Sequence, residues 1–177
     1  PERIDALRAL PDQVQSVLDD ADVESIAAEY ADSSAFFFIG RGHNHPVALE
    51  GALKLKEITY EHAEGFPAGE LKHGPLALME DDAPVIALVT GDGERARKTL
   101  NNVKEVQSRG APVIAVTDGR LDVEQYAQHV LEVPETDPTL APLLANVQLQ
   151  LLAYWIAARL GRPIDKPRHL AKSVTVE

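Results

Sequence analysis

The sequence predicts an α/β fold in which helices cover a parallel β-sheet. Short apolar runs stand at 35–39, 84–90 and 112–117, and turn residues follow each run. Runs of this length and composition are typical of strands buried on both faces. Helical segments separate these runs, and this alternation indicates βαβ units with right-handed crossovers. Because no repeat, low-complexity tract or interior linker interrupts the pattern, we expect one domain over 1–177, with a tail at 161–177.

The individual elements follow from apolar spacing and from start and stop residues. Pro11 suits the first turn of a helix, Asp22 can cap the next one, Pro46 can begin a third and Gly110 can end a fourth. The stretch 62–75 is rich in Gly and Pro and predicts a loop with at most one short helical turn. We therefore expect helices at 11–19, 23–30, 46–60, 94–109 and 139–160, and strands at 35–39, 84–90, 112–117 and 129–134.

Composition excludes several classes of function. The chain of 177 residues carries 17 Lys and Arg against 28 Asp and Glu, a net charge of −11. Such a surface repels nucleic acid, and no basic cluster offsets the repulsion. Cysteine is absent, which excludes a disulfide framework, a thiolate nucleophile and a cysteine-based zinc site. We expect a cytoplasmic protein.

Two segments bear on targeting and on the extent of the chain. The start, PERIDALRALPDQ, has neither an initiator Met nor a signal-peptide pattern and is typical of mid-chain sequence. The most apolar stretch, 140–160, is interrupted by Asn146, Gln148 and Gln150. Unsatisfied amides are costly in a bilayer, so we expect a buried helix and no membrane contact.

Charged residues of the predicted helix 46–60 recur at helical spacing. Glu50, Lys54, Glu57 and Glu61 are separated by four, three and four positions, which places them on one face. A solvated stripe of Glu–Lys pairs, each worth about 0.2–0.5 kcal/mol, is the commoner interpretation. The functional interpretation is a carboxylate base beside an ammonium that tunes its charge. The spacing is compatible with both.

The histidines and the last lysine are each compatible with a functional role or with simple exposure. His43 and His45 form a His-x-His pair, but two imidazoles leave a zinc site short of ligands, so we expect no metal. His73 in its Gly/Pro loop is equally compatible with simple exposure and with proton shuttling. Lys172 near the C-terminus is typical of a solvated terminal lysine, and a role as nucleophile requires a lowered pKa.

The predicted topology points to one edge of the sheet as a ligand site. Ligands of parallel sheets bind beyond the carboxyl ends of the strands. The loops 40–45, 90–93 and 117–119 follow three of the predicted strands. We therefore expect these loops to surround a pocket.

Two longer motifs resemble one family. ALEGALKLKEITYEHAEGFPAGELKHGPLAL at 48–78 and PRHLAKSVTVE at 167–177 resemble the second sugar-isomerase (SIS) domain of the glucosamine-6-phosphate synthases, the glutamine–fructose-6-phosphate aminotransferases. The resemblance extends over essentially the whole chain. It implies a three-layer αβα sandwich with a parallel sheet, doubly wound in the flavodoxin-like manner. It also implies the conversion of fructose 6-phosphate and glutamine-derived ammonia to glucosamine 6-phosphate.

The resemblance assigns roles by position. It implies that Glu57 moves a proton between C1 and C2 of the sugar and that Lys172 forms an imine with the open-chain ketone. His73 assists ring opening, and in this family it reaches the site of the neighbouring subunit of a dimer. The supporting residues of the site are Glu50, Lys54 and Ala171. The chemistry requires no cofactor, and it favours a partly dehydrated pocket that the tail can cover.

The resemblance also implies partners that this sequence does not contain. The family's glutaminase domain uses a terminal cysteine, and its first SIS domain holds the sugar phosphate with Ser/Thr-rich loops. We therefore expect a fragment of a longer enzyme that binds fructose 6-phosphate weakly by itself and has little or no activity. Two alternatives remain: an SIS-type sugar-phosphate deaminase or deglycase, and a sugar-phosphate-sensing module without catalysis.

Overall fold

A five-stranded parallel sheet organises the molecule. The computed structural model describes residues 2–20 and 22–170. The strands lie in the order β2-β1-β3-β4-β5, which is the doubly wound, flavodoxin-like order. The predicted fold class is therefore confirmed. The strands are β1 (Phe36–Gly40), β2 (Ala63–Pro67), β3 (Val85–Val89), β4 (Val113–Thr117) and β5 (His129–Glu132).

Helices cover both faces of this sheet and make it the middle of three layers. The helices are α1 (Glu2–Asp20), α2 (Val23–Tyr30), α3 (Asn44–Thr59), α4 (Glu94–Gln107) and α5 (Ala141–Arg159). Three short 3-10 helices, Ala68–His73, Pro75–Leu78 and Glu124–Tyr126, lie in the connections. Alternate residues of each strand point to opposite faces. Phe36 and Phe38 therefore face α2, α3 and α5, whereas Phe37 and Ile39 face α4 and the 3-10 helix at 68–73.

The burial of the central strands explains why apolar runs in the sequence predicted them. Every residue of β1, β3 and β4 is buried. Parallel strands covered on both faces need continuous apolar sequence, and the register aligns Phe37 with Val85 and Val85 with Val113. The core therefore consists of two apolar clusters with the sheet between them.

Helix α5 is a core helix of this fold. By length and composition it could cross a bilayer, and half of its most apolar window is buried in the protein. It packs against α1, α2 and α3. Gln148, one of the amides that interrupt the stretch, is buried and donates a hydrogen bond to the backbone carbonyl of Glu132 (2.8 Å).

The predicted start of the first helix is wrong. Pro11 lies inside α1, which begins nine positions earlier at Glu2. An interior proline costs about 3 kcal/mol because it removes a hydrogen bond and crowds the preceding turn. Leu10, Val14 and Val17 pack against the cluster formed with α2 and α5 and offset that cost.

The predicted loop at 62–75 is also partly wrong. Residues Ala63–Pro67 form the edge strand β2, paired in parallel with β1, and two 3-10 helices follow it. The sequence AEGFP lacks both an apolar run and alternation, so only the pairing with β1 reveals it. Pro67 is tolerated because it ends a strand at the edge of the sheet.

Helix ends differ from prediction by smaller amounts. Helix α3 begins at Asn44, two residues before Pro46, and ends at Thr59. Asp22 occupies the cap position of α2 without bonding to a backbone N–H, and its carboxylate accepts a hydrogen bond from the Ser25 hydroxyl (3.0 Å) instead.

Candidate functional site

An ion pair on α3 forms the centre of the candidate site. The Lys54 ammonium donates a hydrogen bond to Glu57 Oε2 at 2.5 Å, one helical turn further along. A second carboxylate, Glu50 Oε1, lies 3.8 Å from the same ammonium. The side chains of Lys54 and Glu57 are 34% and 27% exposed, so the pair is half-buried. The helical spacing predicted this contact, and the structure brings all three residues together.

The charge state of Lys54 follows from these neighbours. The hydrogen bond from Lys54 to Glu57 raises the pKa of the ammonium. Burial opposes this effect, and the negative charges of Glu57 and Glu50 reinforce it. Lys54 therefore stays cationic at neutral pH and holds a carboxylate at a fixed place on the helix.

Glu61 departs from the charged face that the spacing predicts. Helix α3 ends at Thr59, and Tyr60 adopts a left-handed conformation with φ 70° and ψ 9°. The turn redirects the chain, and Glu61 accepts a hydrogen bond from Arg162 Nη2 (3.2 Å) instead of joining Lys54. The helical repeat does not extend past a left-handed residue.

Apolar side chains lie next to the ion pair on α3. Leu49 and Leu53, one turn apart on α3, are 45% and 42% exposed. Lys54 and Ile58 also line an open hollow of about 320 Å³, together with Tyr154 and Ile164. Ile164 belongs to the segment after α5, so this segment lines the same hollow as Lys54.

His73 lies elsewhere in the same chain. It is the exposed last residue of the 3-10 helix Ala68–His73. Leu71 of that helix packs into the cluster on the α4 face of the sheet, whereas α3 packs on the opposite face. The sheet therefore separates His73 from Glu57 within one chain.

An ion pair holds the 3-10 helix that carries His73. Lys72 Nζ lies 2.7 Å from Glu105 Oε1 on α4. The hydrogen bond from Lys72 lowers the pKa of Glu105, although burial opposes the effect. The position of His73 is thus tied to α4.

Lys172 and Ala171 lie outside the described residues. The chain leading to them is described as far as Leu170. Two residues earlier, the Arg168 backbone N–H donates a hydrogen bond to the Tyr60 hydroxyl (2.9 Å). The chain thus arrives at the end of α3 from which Glu57 projects.

A separate polar pocket of about 400 Å³ lies at the carboxyl ends of β1 and β3. The loops 40–45 and 90–93 contribute to it, and Gly91 N–H donates to Asp118 Oδ2 in the third predicted loop (2.8 Å). Asn44 joins the first two loops by donating to Thr90 Oγ1 (3.0 Å). Glu57 lies thirteen positions further along α3 than Asn44, about 20 Å at 1.5 Å per residue. The predicted ligand pocket and the charged face of α3 are therefore two different places.

Metal binding finds no support in the described part of the chain, 2–20 and 22–170. No group of three or more His, Cys, Asp and Glu side chains there is placed to hold an ion. His43 directly precedes α3, and His45 lies in the first turn of that helix.

Three residues near the site escaped prediction: Tyr60, Arg162 and Arg168. The Tyr60 ring lies under both guanidinium groups, at 5.4 Å from Arg162 and 4.2 Å from Arg168. Both arginines stand more than 100 positions after Tyr60, so no local sequence pattern relates them to it. Only Gly161, a left-handed glycine directly after α5, could have predicted the turn before Arg162.

The family to which the chain belongs has the α/β fold described above. The chain belongs to the SIS domain family, whose model matches residues 29–160, from the end of α2 through α5. These are α/β sugar-isomerase domains, as the two motifs indicated.

Comparison with individual proteins narrows the relationship within this family. The chain is 59% identical over 174 residues to the glutamine–fructose-6-phosphate aminotransferase (isomerizing) of Halobacterium salinarum, covering 98% of this chain and 28% of that protein. The chain thus spans little more than a quarter of the curated relative's length.

Solved structures support the same relationship. The C-terminal domain of glucosamine-fructose-6-phosphate aminotransferase from Francisella tularensis superposes with a TM-score of 0.82 at 39% identity, over 90% of this chain and 45% of that one. A glucosamine-6-phosphate deaminase from Thermotoga maritima gives 0.69 at 27% identity, over 97% and 49%.

Proposed function

We propose that this domain supplies the proton-transfer groups of a glutamine–fructose-6-phosphate aminotransferase. The enzyme converts fructose 6-phosphate and ammonia derived from glutamine into glucosamine 6-phosphate. The observation that carries the proposal is the Lys54–Glu57 pair on a half-buried face of α3, with the C-terminal segment bound at the end of the same helix. The names of the aminotransferase relatives support the choice of substrate.

The chemistry uses a lysine and a carboxylate in sequence. The Lys172 amine adds to the C2 carbonyl of the open-chain sugar, and water leaves as the imine forms. Ammonia then adds to the imine carbon and the Lys172 amine leaves, so that the C2 imine carries the ammonia nitrogen. This imine makes the C1 hydrogen acidic, and Glu57 takes that proton and returns it at C2, while the C1 hydroxyl loses its proton and becomes the aldehyde. Lys54 remains cationic beside Glu57, and its charge favours the negative charge that develops when C1 loses its proton.

The position of His73 supports a homodimer in which the site is shared. Within one chain the sheet separates His73 from Glu57. An exposed His73 on the α4 face can assist ring opening only in the site of a second copy. The proposed active unit is therefore a dimer in which each site takes Glu57 from one subunit and His73 from the other.

The remaining partners follow from the surface around the pair and from the extent of the chain. Leu49 and Leu53 flank the charged face and are exposed, which is typical of a surface covered by another domain. The first SIS domain, absent from this sequence, is the proposed cover and phosphate site. A glutaminase domain is the proposed source of ammonia. The proposal includes a cytoplasmic location and weak or absent activity of the isolated domain, without a nucleic-acid or membrane partner.

A sugar-phosphate deaminase is the second candidate. The 27% identity to the Thermotoga deaminase over 97% of this chain favours it specifically. The two candidates differ in nitrogen chemistry, because a deaminase releases ammonia from the amino sugar and needs no glutamine. Product formation that depends on glutamine therefore separates them.

The experiment uses the full-length enzyme with fructose 6-phosphate and borohydride, which reduces an imine to a stable amine. We expect the sugar to be found on Lys172 by peptide mass. In Glu57→Gln the adduct still forms, and isomerisation falls about 10²–10⁴-fold because the base is lost. Glu124→Gln, an exposed position in the 3-10 helix against α4, is the matched control and keeps full activity.

Two outcomes would contradict the proposal. One is a sugar adduct on Lys54 or Lys72 instead of Lys172. The other is a Glu57→Gln enzyme that isomerises at the wild-type rate.

A further inference from the structure

Tyr60 adopts a backbone conformation that tyrosine rarely takes. It ends α3 with φ 70° and ψ 9°, and its N–H donates to the Lys56 carbonyl (3.2 Å). Glycine is the usual residue at a left-handed helix end, and a residue with a Cβ is strained there. Such strain persists only where the side chain or the surrounding structure compensates for it.

The second strained residue lies in the segment that Tyr60 contacts. Among residues 2–20 and 22–170, Tyr60 and His169 are the only non-glycine residues with positive φ, and His169 has φ 63°. His169 directly follows Arg168, whose N–H is bonded to the Tyr60 hydroxyl at 2.9 Å. The two strained positions thus meet at one junction.

The Tyr60 side chain makes three contacts with the segment after α5. Its hydroxyl accepts the hydrogen bond from Arg168 N–H, and its ring lies under the guanidinium groups of Arg168 (4.2 Å) and Arg162 (5.4 Å). A cation over an aromatic face is attracted by the negative charge of the ring face. Together the contacts offset the strain at Tyr60.

Arg162 adds a second connection between the ends of two helices. Gly161 and Arg162 close α5 through hydrogen bonds to the carbonyls of Ala158 (3.1 Å) and Ala157 (2.9 Å). Arg162 Nε then donates to the Thr59 carbonyl at 3.1 Å. This contact satisfies a free carbonyl at the end of α3 and brings the segment against that helix.

We propose that Tyr60 is a positioning residue for the isomerase reaction, because it fastens the segment 161–170 to the end of α3 beside Glu57. This inference rests on the proposed function, in which the lysine that follows this segment attacks the sugar. The role of Tyr60 is to shorten the tether of that lysine; Tyr60 itself does not touch the reacting atoms.

Chain length gives the size of the effect. Without the Tyr60 anchor, the last hold before Lys172 is the contact of Arg162 with the Thr59 carbonyl, ten residues away; with Arg168 held, four residues remain. At about 3.5 Å per residue, the maximal reach falls from about 35 Å to about 14 Å. The effective concentration of a tethered group falls with about the −3/2 power of tether length, so releasing the anchor lowers it about fourfold.

The test combines three variants of the full-length enzyme. Tyr60→Gly suits the left-handed backbone but removes every side-chain contact, and Tyr60→Phe removes only the hydroxyl that accepts from Arg168. Arg168→Ala removes the guanidinium–ring contact and leaves α3 unchanged. Tyr126→Phe is the matched control, because its ring lies under Lys104 on the far side of the sheet.

Two measurements are made on each variant. The first is the rate of borohydride-trapped adduct at Lys172 with saturating fructose 6-phosphate. The second is amide hydrogen exchange in 161–170 without substrate. We expect Tyr60→Gly to slow trapping about fourfold and to speed exchange in this segment. Tyr60→Phe and Arg168→Ala give smaller effects in the same direction, and Tyr126→Phe equals wild type in both.

The outcomes separate this inference from the proposed function. Wild-type enzyme that forms no adduct at Lys172 contradicts the proposed function. Wild-type enzyme that forms the adduct, with trapping and exchange unchanged in Tyr60→Gly, contradicts the positioning role alone. Should Tyr60→Gly fail to fold, unchanged trapping and exchange in Arg168→Ala contradict it equally, since that change leaves the helix intact.

Discussion

At the scale of single residues, buried ionisable groups give this domain a measurable pH dependence. Tyr30, at the end of α2, is buried and stacks edge-on against His129 of β5 at 5.6 Å. Burial raises the pKa of its phenol to about 12, and the charge and hydrogen bond of Glu29 act in the same direction. The folded state therefore favours the neutral phenol.

This raised pKa predicts a loss of stability in alkali. A phenol that titrates near pH 10 when unfolded and near 12 when folded contributes fully below pH 10 and loses its contribution as pH rises through 12. The free energy of unfolding should fall by about 2 kcal/mol between pH 9 and 12 on account of Tyr30. Urea unfolding of the wild type and of Tyr30→Phe across this range measures the difference. Parallel curves for the two proteins would show that Tyr30 does not cause the loss.

Some contacts of the candidate site form between neighbours on one helix, and others join residues that are far apart in the sequence. The Lys54–Glu57 contact depends on helical spacing alone, and the sequence predicted it. The role of Tyr60 depends on a left-handed turn and on arginines about a hundred positions away, which no local rule relates. Glu61 shows the same limit, because its expected place on the helix face was lost at that turn.

At the scale of elements, the close approach of α3 to β1 depends on a glycine. A Cβ at Gly40 would lie 2.5 Å from the backbone carbonyl oxygen of Asn44 in the first turn of α3. Backbone atoms cannot move aside as a side-chain end can. The short turn between β1 and α3 therefore needs glycine at this position.

Matched serine substitutions test this packing. Gly40→Ser should lower the free energy of unfolding by about 1–3 kcal/mol, because α3 must shift away from the sheet. Gly93→Ser at the start of α4 meets nothing within 4 Å of the new Cβ, and serine is a good helix cap, so its stability should equal or slightly exceed that of the wild type. Thermal unfolding of both variants measures the effect. Equal melting temperatures would contradict the packing argument.

The sequence predicted those elements whose own residues identify them without reference to the rest of the fold. Strands β1, β3 and β4 are buried on both faces and are apolar throughout, so composition identifies them. The edge strand β2 consists of AEGFP and depends on its pairing with β1. Helix α1 continues through Pro11 because apolar contacts with α5 outweigh the local preference. Tertiary contacts explain why both β2 and α1 differ from the prediction.

At the scale of the whole molecule, the proposed function requires two copies of the chain. Glu57 lies on the α3 face of the sheet and His73 on the α4 face. In the proposed dimer, one subunit therefore contributes Glu57 to one site and His73 to the other. The order of the strands was implied by family resemblance, but the separation of these two residues by the sheet became visible only in the folded chain.

Mixed dimers of the full-length enzyme distinguish a site shared between subunits from a site within one chain. Glu57→Gln and His73→Ala subunits, each inactive as a homodimer, are co-expressed with different tags, and isomerase activity is measured. A mixed dimer has one site with both native residues, so the purified mixed dimer should show about half of the wild-type activity. If both residues serve the site of their own chain, every site in the mixed dimer is defective, and the absence of recovered activity would contradict a shared site.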